Sequence, residues 1–159
     1  MKKVYQTIQG FNGNCWQAVV ASLLELELEQ VPHFVSYPNC FELADEFMLK
    51  HGYVTTKQIP NPRRLKHFGQ DLFNEINQYS GVDGFFKACV YSPKLFTPEL
   101  MIGDNEPTHA VIIDKEFRIV HDPNPEYANI DKYPLEHLLG YNGIISFDCI
   151  KRVGGLKFC

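Results

Sequence analysis

Two stretches carry residue types able to do nucleophilic chemistry together, and roughly ninety residues separate them. The first is Gln9-Gly10-Phe11-Asn12-Gly13-Asn14-Cys15-Trp16, which runs directly into Gln17-Ala18-Val19-Val20-Ala21-Ser22-Leu23-Leu24. A Gly/Asn-rich loop gives way at Asn14, a residue type favoured at helix N-caps, to an apolar helical pattern, so Cys15 falls in the first turn. Unpaired backbone N–H groups and the positive end of the helix dipole favour the thiolate there, and the thiolate is the form that attacks carbonyls.

Such a nucleophile is helped by a base that takes its proton and by a third group that orients the base. Thr108-His109-Ala110-Val111-Ile112-Ile113-Asp114 and Phe117-Arg118-Ile119-Val120-His121-Asp122-Pro123 supply both. Two β-rich runs separated by Lys115-Glu116 read as a hairpin. His109 opens the first strand and Asp122 closes the second, so antiparallel pairing brings them to the same end. His121 should face away from a site that Asp122 faces, as a surface or supporting residue, because successive strand residues point to opposite faces.

This order of parts resembles the papain-like cysteine hydrolases: a Gln, a Cys at a helix start followed by Trp, a His on a strand, and an Asn or Asp on the next. Gln9 stands six residues before Cys15, Trp16 follows it, and Asp122-Pro123 ends the second strand. The chain is also similar to the small peptidases that trim double-glycine leaders in bacteriocin export. It shares more with small bacterial and phage proteins carrying Asn-Cys-x-x-Ala-x-x-Ala-Ser-Leu-Leu, Val-Pro-His-Phe, His-Ala-Val and His-Asp-Pro, found here at 14–24, 31–34, 109–111 and 121–123. Where the leader peptidases have Asp-Cys-Gly, this chain has Asn14-Cys15-Trp16, so double-glycine specificity does not carry over. The resemblance implies a Cys15–His109–Asp122 triad and an oxyanion-binding Gln. Gln9 has the papain spacing, and Gln6, in Gln6-Thr7, is the alternative.

The elements that must position these residues follow from pattern. A strand is expected near 3–8 and a helix over 15–26. That helix is apolar nearly all round, and hence central. A second helix is expected over 40–51, with Asn39 as cap, Gly52 past its end, and positions 41, 43, 44, 47 and 48 inward. Then come a strand at 53–56, a break at Pro60-Asn61-Pro62, and a helix over 71–79 with Leu72, Phe73 and Ile76 inward. A strand over 84–91, a loop over 94–107, the hairpin over 108–122, a short helix at 135–139 and a last strand over 143–153 complete the chain. Helices first and an antiparallel sheet after is an α+β pattern, with a central N-terminal helix on the sheet. The resemblance implies the same papain-like layout over one domain, 1–159.

Composition narrows the function. A chain of 159 residues that is 45% apolar and 21% charged reads as one soluble globule. Its net charge of −4 argues against nucleic acid as a partner. No apolar run approaches a membrane span or a secretory signal, and five irregularly spaced cysteines suit a reducing compartment. A cytoplasmic location is expected. Cys40, Cys89 and Cys149 lie in apolar patterns and read as core, and Cys159 is a chain end. Close Cys or His pairs of the zinc-binding kind do not occur, so neither a metal nor another cofactor is called for.

Each candidate also has a plainer reading, since most free cysteines are inert core residues and a His at a strand start is often structural. For Cys15 and His109 the loop, cap, Gln and hairpin would all have to coincide by chance. Trp16 packs beside the site, and His33 either lines the cleft or sits exposed in a turn. His51, His67 and His137 look solvated. The expected activity is cysteine-dependent acyl transfer by a peptidase or amidase acting on a peptide, protein or other amide, through a thioester on Cys15. A transglutaminase or acyltransferase on the same triad is the alternative. So is a papain-like binding protein without chemistry, for example a phage-encoded inhibitor of a host protein. Loops near 32–39, 60–70 and 92–107, with Phe34, Tyr37, Phe96, Pro98, Asp104 and Glu106, should line the cleft.

Overall fold

A computed structural model of the chain describes residues 1–10, 12–58, 74, 76–91, 108–127 and 144–153. Its first element is helix α1 (Cys15–Leu24), in which Ala18, Val19, Val20, Ala21, Ser22 and Leu23 are all buried, as its all-round apolar pattern requires. The helix ends at Leu24 rather than near 26. Glu25 takes a left-handed conformation (φ 56°) and its N–H bonds back to Ala21 O and Ser22 O, which closes the last turn.

Helix α2 (Cys40–Lys50) buries Ala44 and Met48, with Leu43 and Phe47 packed partly against the core. Phe41, expected inward, is 64% exposed, because it lies in the first turn at the rim, against the Trp16 ring at 5.6 Å between centroids. Asn14 and Asn39 occupy the N-cap positions as expected, but neither side chain caps its helix.

Among the described residues five antiparallel strands follow: β1 (Tyr53–Gln58), β2 (Phe85–Tyr91), β3 (Thr108–Asp114), β4 (Ile119–His121) and β5 (Ile144–Arg152). They lie in the order β1-β5-β2-β3-β4, so the last strand returns to fill the gap between the first two. Among the described residues this is an α+β arrangement, two helices on an antiparallel sheet. α1 packs on β2 and β3 and α2 on β1. The core between them is apolar and aromatic, with Phe34, Phe86, Phe117, Phe147, Ile112 and Ile150 at 0–1% exposure.

The segment 3–8 is not a strand. It is extended, but its donors go to scattered acceptors instead of a ladder: Val4 N–H to Ser22 Oγ at 2.9 Å and Gln6 N–H to Pro123 O at 2.9 Å. It bridges α1 and the end of β4. His121 is fully buried rather than at the surface, because this segment covers it: its Nε2–H donates to Val4 O at 2.7 Å and its ring meets Tyr5 edge-on.

Of the helix expected over 71–79, Asn74, Ile76 and Asn77 are helical and Ile76 is fully buried, while 71–73 and 75 lie outside the described residues. The loop 94–107, the helix 135–139, His67, His137 and Cys159 lie outside them too. Cys15, Cys40, Cys89 and Cys149 form no disulfide, and only Cys149 among the three expected core cysteines is fully buried. Among the described residues no helix is long and apolar enough to cross a membrane.

Candidate active site

The loop before α1 is compressed onto itself. Gly13 N–H donates to Gly10 O at 2.9 Å and Asn14 N–H to Ile8 O at 3.2 Å, and a Cβ at Gly13 would fall 2.8 Å from both Gly10 O and Ile8 O. Glycine is required there by space. Asn14 is 2% exposed, and its side chain turns back instead of capping: Oδ1 accepts from Thr7 N–H (2.9 Å) and Ile8 N–H (2.8 Å), and Nδ2 donates to Thr7 Oγ1 (3.0 Å) and Gln17 Oε1 (3.2 Å). It thereby ties the segment carrying Gln6 and Gln9 to the start of α1.

That placement delivers Cys15 to the first residues of β3. The thiol is hydrogen-bonded to the His109 side chain and to the Ala110 backbone N–H. His109 is 7% exposed, and its Nε2–H donates to Asp122 Oδ1 at 2.6 Å, which leaves Nδ1 to face the thiol. Asp122 lies just past β4 at 4% exposure, and the same Oδ1 accepts Asn124 N–H at 2.9 Å in an Asx-type turn that fixes the carboxylate. The hairpin thus brings His109 and Asp122 into contact.

Electrostatics follow from this packing. Burial pushes the Cys15 thiol up, but the His109 hydrogen bond and charge, the Ala110 N–H and the Lys87 charge together hold it below its usual value. Burial pushes the His109 imidazole down, but the hydrogen bonds to Asp122 and Cys15 and their charges raise it to about 10. A lowered thiol and a raised imidazole both shift the pair toward thiolate and imidazolium relative to the isolated groups.

Gln6 is buried. Its Nε2 donates to Ile8 O at 3.0 Å and to Gln9 Oε1 at 3.3 Å, while Gln9 is exposed at the loop surface. Trp16 is half-buried, its ring engaged by Phe34 at 5.0 Å, by Phe41, and by the Lys87 ammonium 4.6 Å from its centroid. His33 is also half-buried, and its Nε2 lies 3.3 Å from Gly13 O, so it braces the loop before the nucleophile.

Three residues that sequence reading did not single out border the site. Lys87 and Asp148 are 7% and 9% exposed and form an ion pair at 3.5 Å beneath Trp16, and Asp45 of α2 lines the same pocket, which encloses about 30 Å³. A usable signal was present: Lys87 interrupts Phe85-Phe86-Lys87-Ala88-Cys89-Val90 and Asp148 interrupts Ile144-Ile145-Ser146-Phe147-Asp148-Cys149, opposite charges inside two apolar strands. Among the described residues no group of three or more His, Cys, Asp or Glu is placed to hold a metal ion. Comparison with family models, with curated proteins and with solved structures returns no match.

Proposed function

We propose that this protein is a papain-like, cysteine-dependent acyl-transfer enzyme, a peptidase or amidase working through Cys15, His109 and Asp122. The observation that carries this reading is the continuous hydrogen-bonded path from the Cys15 thiol at the start of α1, through His109, to a buried and immobilised Asp122. A cysteine placed only for packing has no need of a base so oriented.

In this mechanism His109 holds the Cys15 proton, and the thiolate attacks the amide carbonyl. The S–C bond forms as the carbonyl π electrons move to oxygen. The Cys15 backbone N–H and a glutamine side-chain amide receive that oxyanion. Gln9 fits the second role better than Gln6. The Gln6 amide nitrogen is spent on Ile8 O and on Gln9 Oε1, whereas the exposed Gln9 offers its own amide nitrogen as the donor. When the intermediate collapses the C–N bond breaks, and His109 gives its proton to the leaving amine. Water, deprotonated by His109, then releases the acyl group from the thioester, and an amine in its place would transfer it. Asp122 keeps the imidazole oriented throughout and stabilises its charged form. Trp16 and His33 shape the cleft around the nucleophile.

Intact-mass measurement after brief exposure to iodoacetamide at about pH 6 tests the reading. One fast adduct, absent in Cys15→Ala and much slower in His109→Ala, is expected. Uniformly slow labelling would overturn the reading and favour a binding protein. With labelling established, the product masses from acyl substrates distinguish release to water from transfer to an amine.

A further inference from the structure

Lys87 and Asp148 sit one step along from the Ala88–Phe147 pair of β2 and β5, so they face each other across these two strands and point to the side that α1 covers. Cys89 lies on that same face, and its partner across β2–β3 is Ala110, whose backbone N–H holds the Cys15 thiol. Lys87 therefore stands two residues along the strand, about 7 Å, from the point where the nucleophile is gripped. Its ammonium is over the ring of Trp16, the residue next to Cys15 in the first turn of α1.

The surroundings of this ammonium are mixed in charge. Asp148 faces it from β5, Asp45 from α2, Cys89 from its own strand and Cys15 from α1. The contact with Asp148 is loose at 3.5 Å, and a buried ammonium with so distant a counter-ion leaves much of its field to act on its other neighbours. By strand alternation Lys87 and Asp148 lie on one face of the sheet with Ala110, whereas His109 and Asp122 point to the other, so the two charged pairs act on Cys15 from different sides.

We propose that Lys87 is a positioning residue of the site, stabilising the Cys15 thiolate from the side opposite His109, with Asp148 limiting how strongly it does so. This rests on the thiolate reading of Cys15 above. It adds that the anion is held by two cations, one that exchanges protons and one that does not. Burial supports the thiolate of Cys15 only if such charges offset it, and Lys87 is one of those that lower the thiol.

The test is the pH profile of Cys15 alkylation by iodoacetamide, read at its own peptide by mass spectrometry, in the wild type, Lys87→Met, Lys87→Arg and Asp148→Asn. Lys87→Met should move the midpoint up by about one pH unit. Lys87→Arg should restore it, and Asp148→Asn should move it down, since the ammonium then acts on the thiolate undivided. Opposite shifts from the two partners are what general damage would not produce. Unmoved midpoints, or shifts in one common direction, would overturn the proposal. If Lys87→Met does not fold, Asp148→Asn alone decides: a lowered midpoint supports the role of Lys87, and an unchanged or raised one refutes it. An ordinary thiol midpoint in the wild type would instead overturn the acyl-transfer reading, whatever the variants do relative to it.

Discussion

Two buried ion pairs flank Cys15, and they differ in geometry more than in burial. His109 and Asp122 have side chains 9% and 5% exposed and meet at 2.6 Å, while Lys87 and Asp148, at 8% and 12%, meet at 3.5 Å. Solvent access is thus nearly matched, and the difference lies in what each pair fixes. Asp122 is itself held by Asn124 N–H, and its contact orients a ring with two distinct nitrogens. Lys87 is a point charge on a flexible stem, steadied by a ring face and a distant carboxylate. An imidazole exchanges its proton during a reaction, whereas a lysine kept charged contributes only its field. In the proposed mechanism the first pair serves directed proton transfer and the second a constant potential.

The sharpest way to break that contrast is to delete one cation at a time and measure turnover of an acyl substrate. His109→Ala should lower kcat/KM by about 10³ or more, because base and ion-pair partner vanish together. Lys87→Met should lower it by only about tenfold near pH 6, through a smaller thiolate fraction. Comparable losses would mean that the two sides are not chemically distinct.

The two carboxylates provide the next comparison. Asp122→Asn should cost roughly a hundredfold in kcat/KM and move the alkaline limb of the pH profile downward, since the imidazolium loses its support and gives up its proton at lower pH. Asp148→Asn should instead move the acid limb downward, since Lys87 then acts on the thiolate undivided. The signs follow from the shifts: a thiol held low sets the acid end of the ion-pair plateau and an imidazole held high sets its alkaline end, so weakening the support of the imidazole shortens the plateau from its alkaline side. An Asp122→Asn limb that stays in place would detach Asp122 from the pair.

Smaller effects concern the loop that sets both pairs around Cys15. Asn14→Ala should destabilise the fold by about 1–3 kcal/mol in urea unfolding, because Thr7 N–H and Ile8 N–H lose a buried acceptor. Lys2→Ala, which breaks the exposed Lys2–Glu27 pair, should change stability by at most ~0.5 kcal/mol. An Asn14→Ala variant as stable as Lys2→Ala would show that the loop is positioned without that side chain.

Much of this site is written locally. Gly13-Asn14-Cys15 followed by an apolar run dictates a loop and then a helix start, and the period of 108–114 and 117–122 dictates a hairpin whose ends bear His109 and Asp122. The same local reading misjudged residues whose partners come from elsewhere. Asn14 is a good cap by type, yet Thr7 and Ile8 claim its side chain. His121 looks like a solvent-facing strand residue until Val4 and Tyr5 cover it. Phe41 fits an inward stripe but sits at the rim of the helix that carries it. Residues 3–8 have a strand composition, yet their donors reach α1 and the end of β4 one by one instead of joining a ladder.

By itself, then, the sequence determined the central apolar helix that Cys15 opens and the hairpin, because hydrogen bonding and side-chain periodicity within a few residues suffice for both. Tertiary structure alone decided that Lys87 and Asp148 face one another under Trp16. That pairing depends on β5 returning between β1 and β2 in one register, and strand periodicity gives the face a side chain points to, never the neighbour it will meet across the sheet.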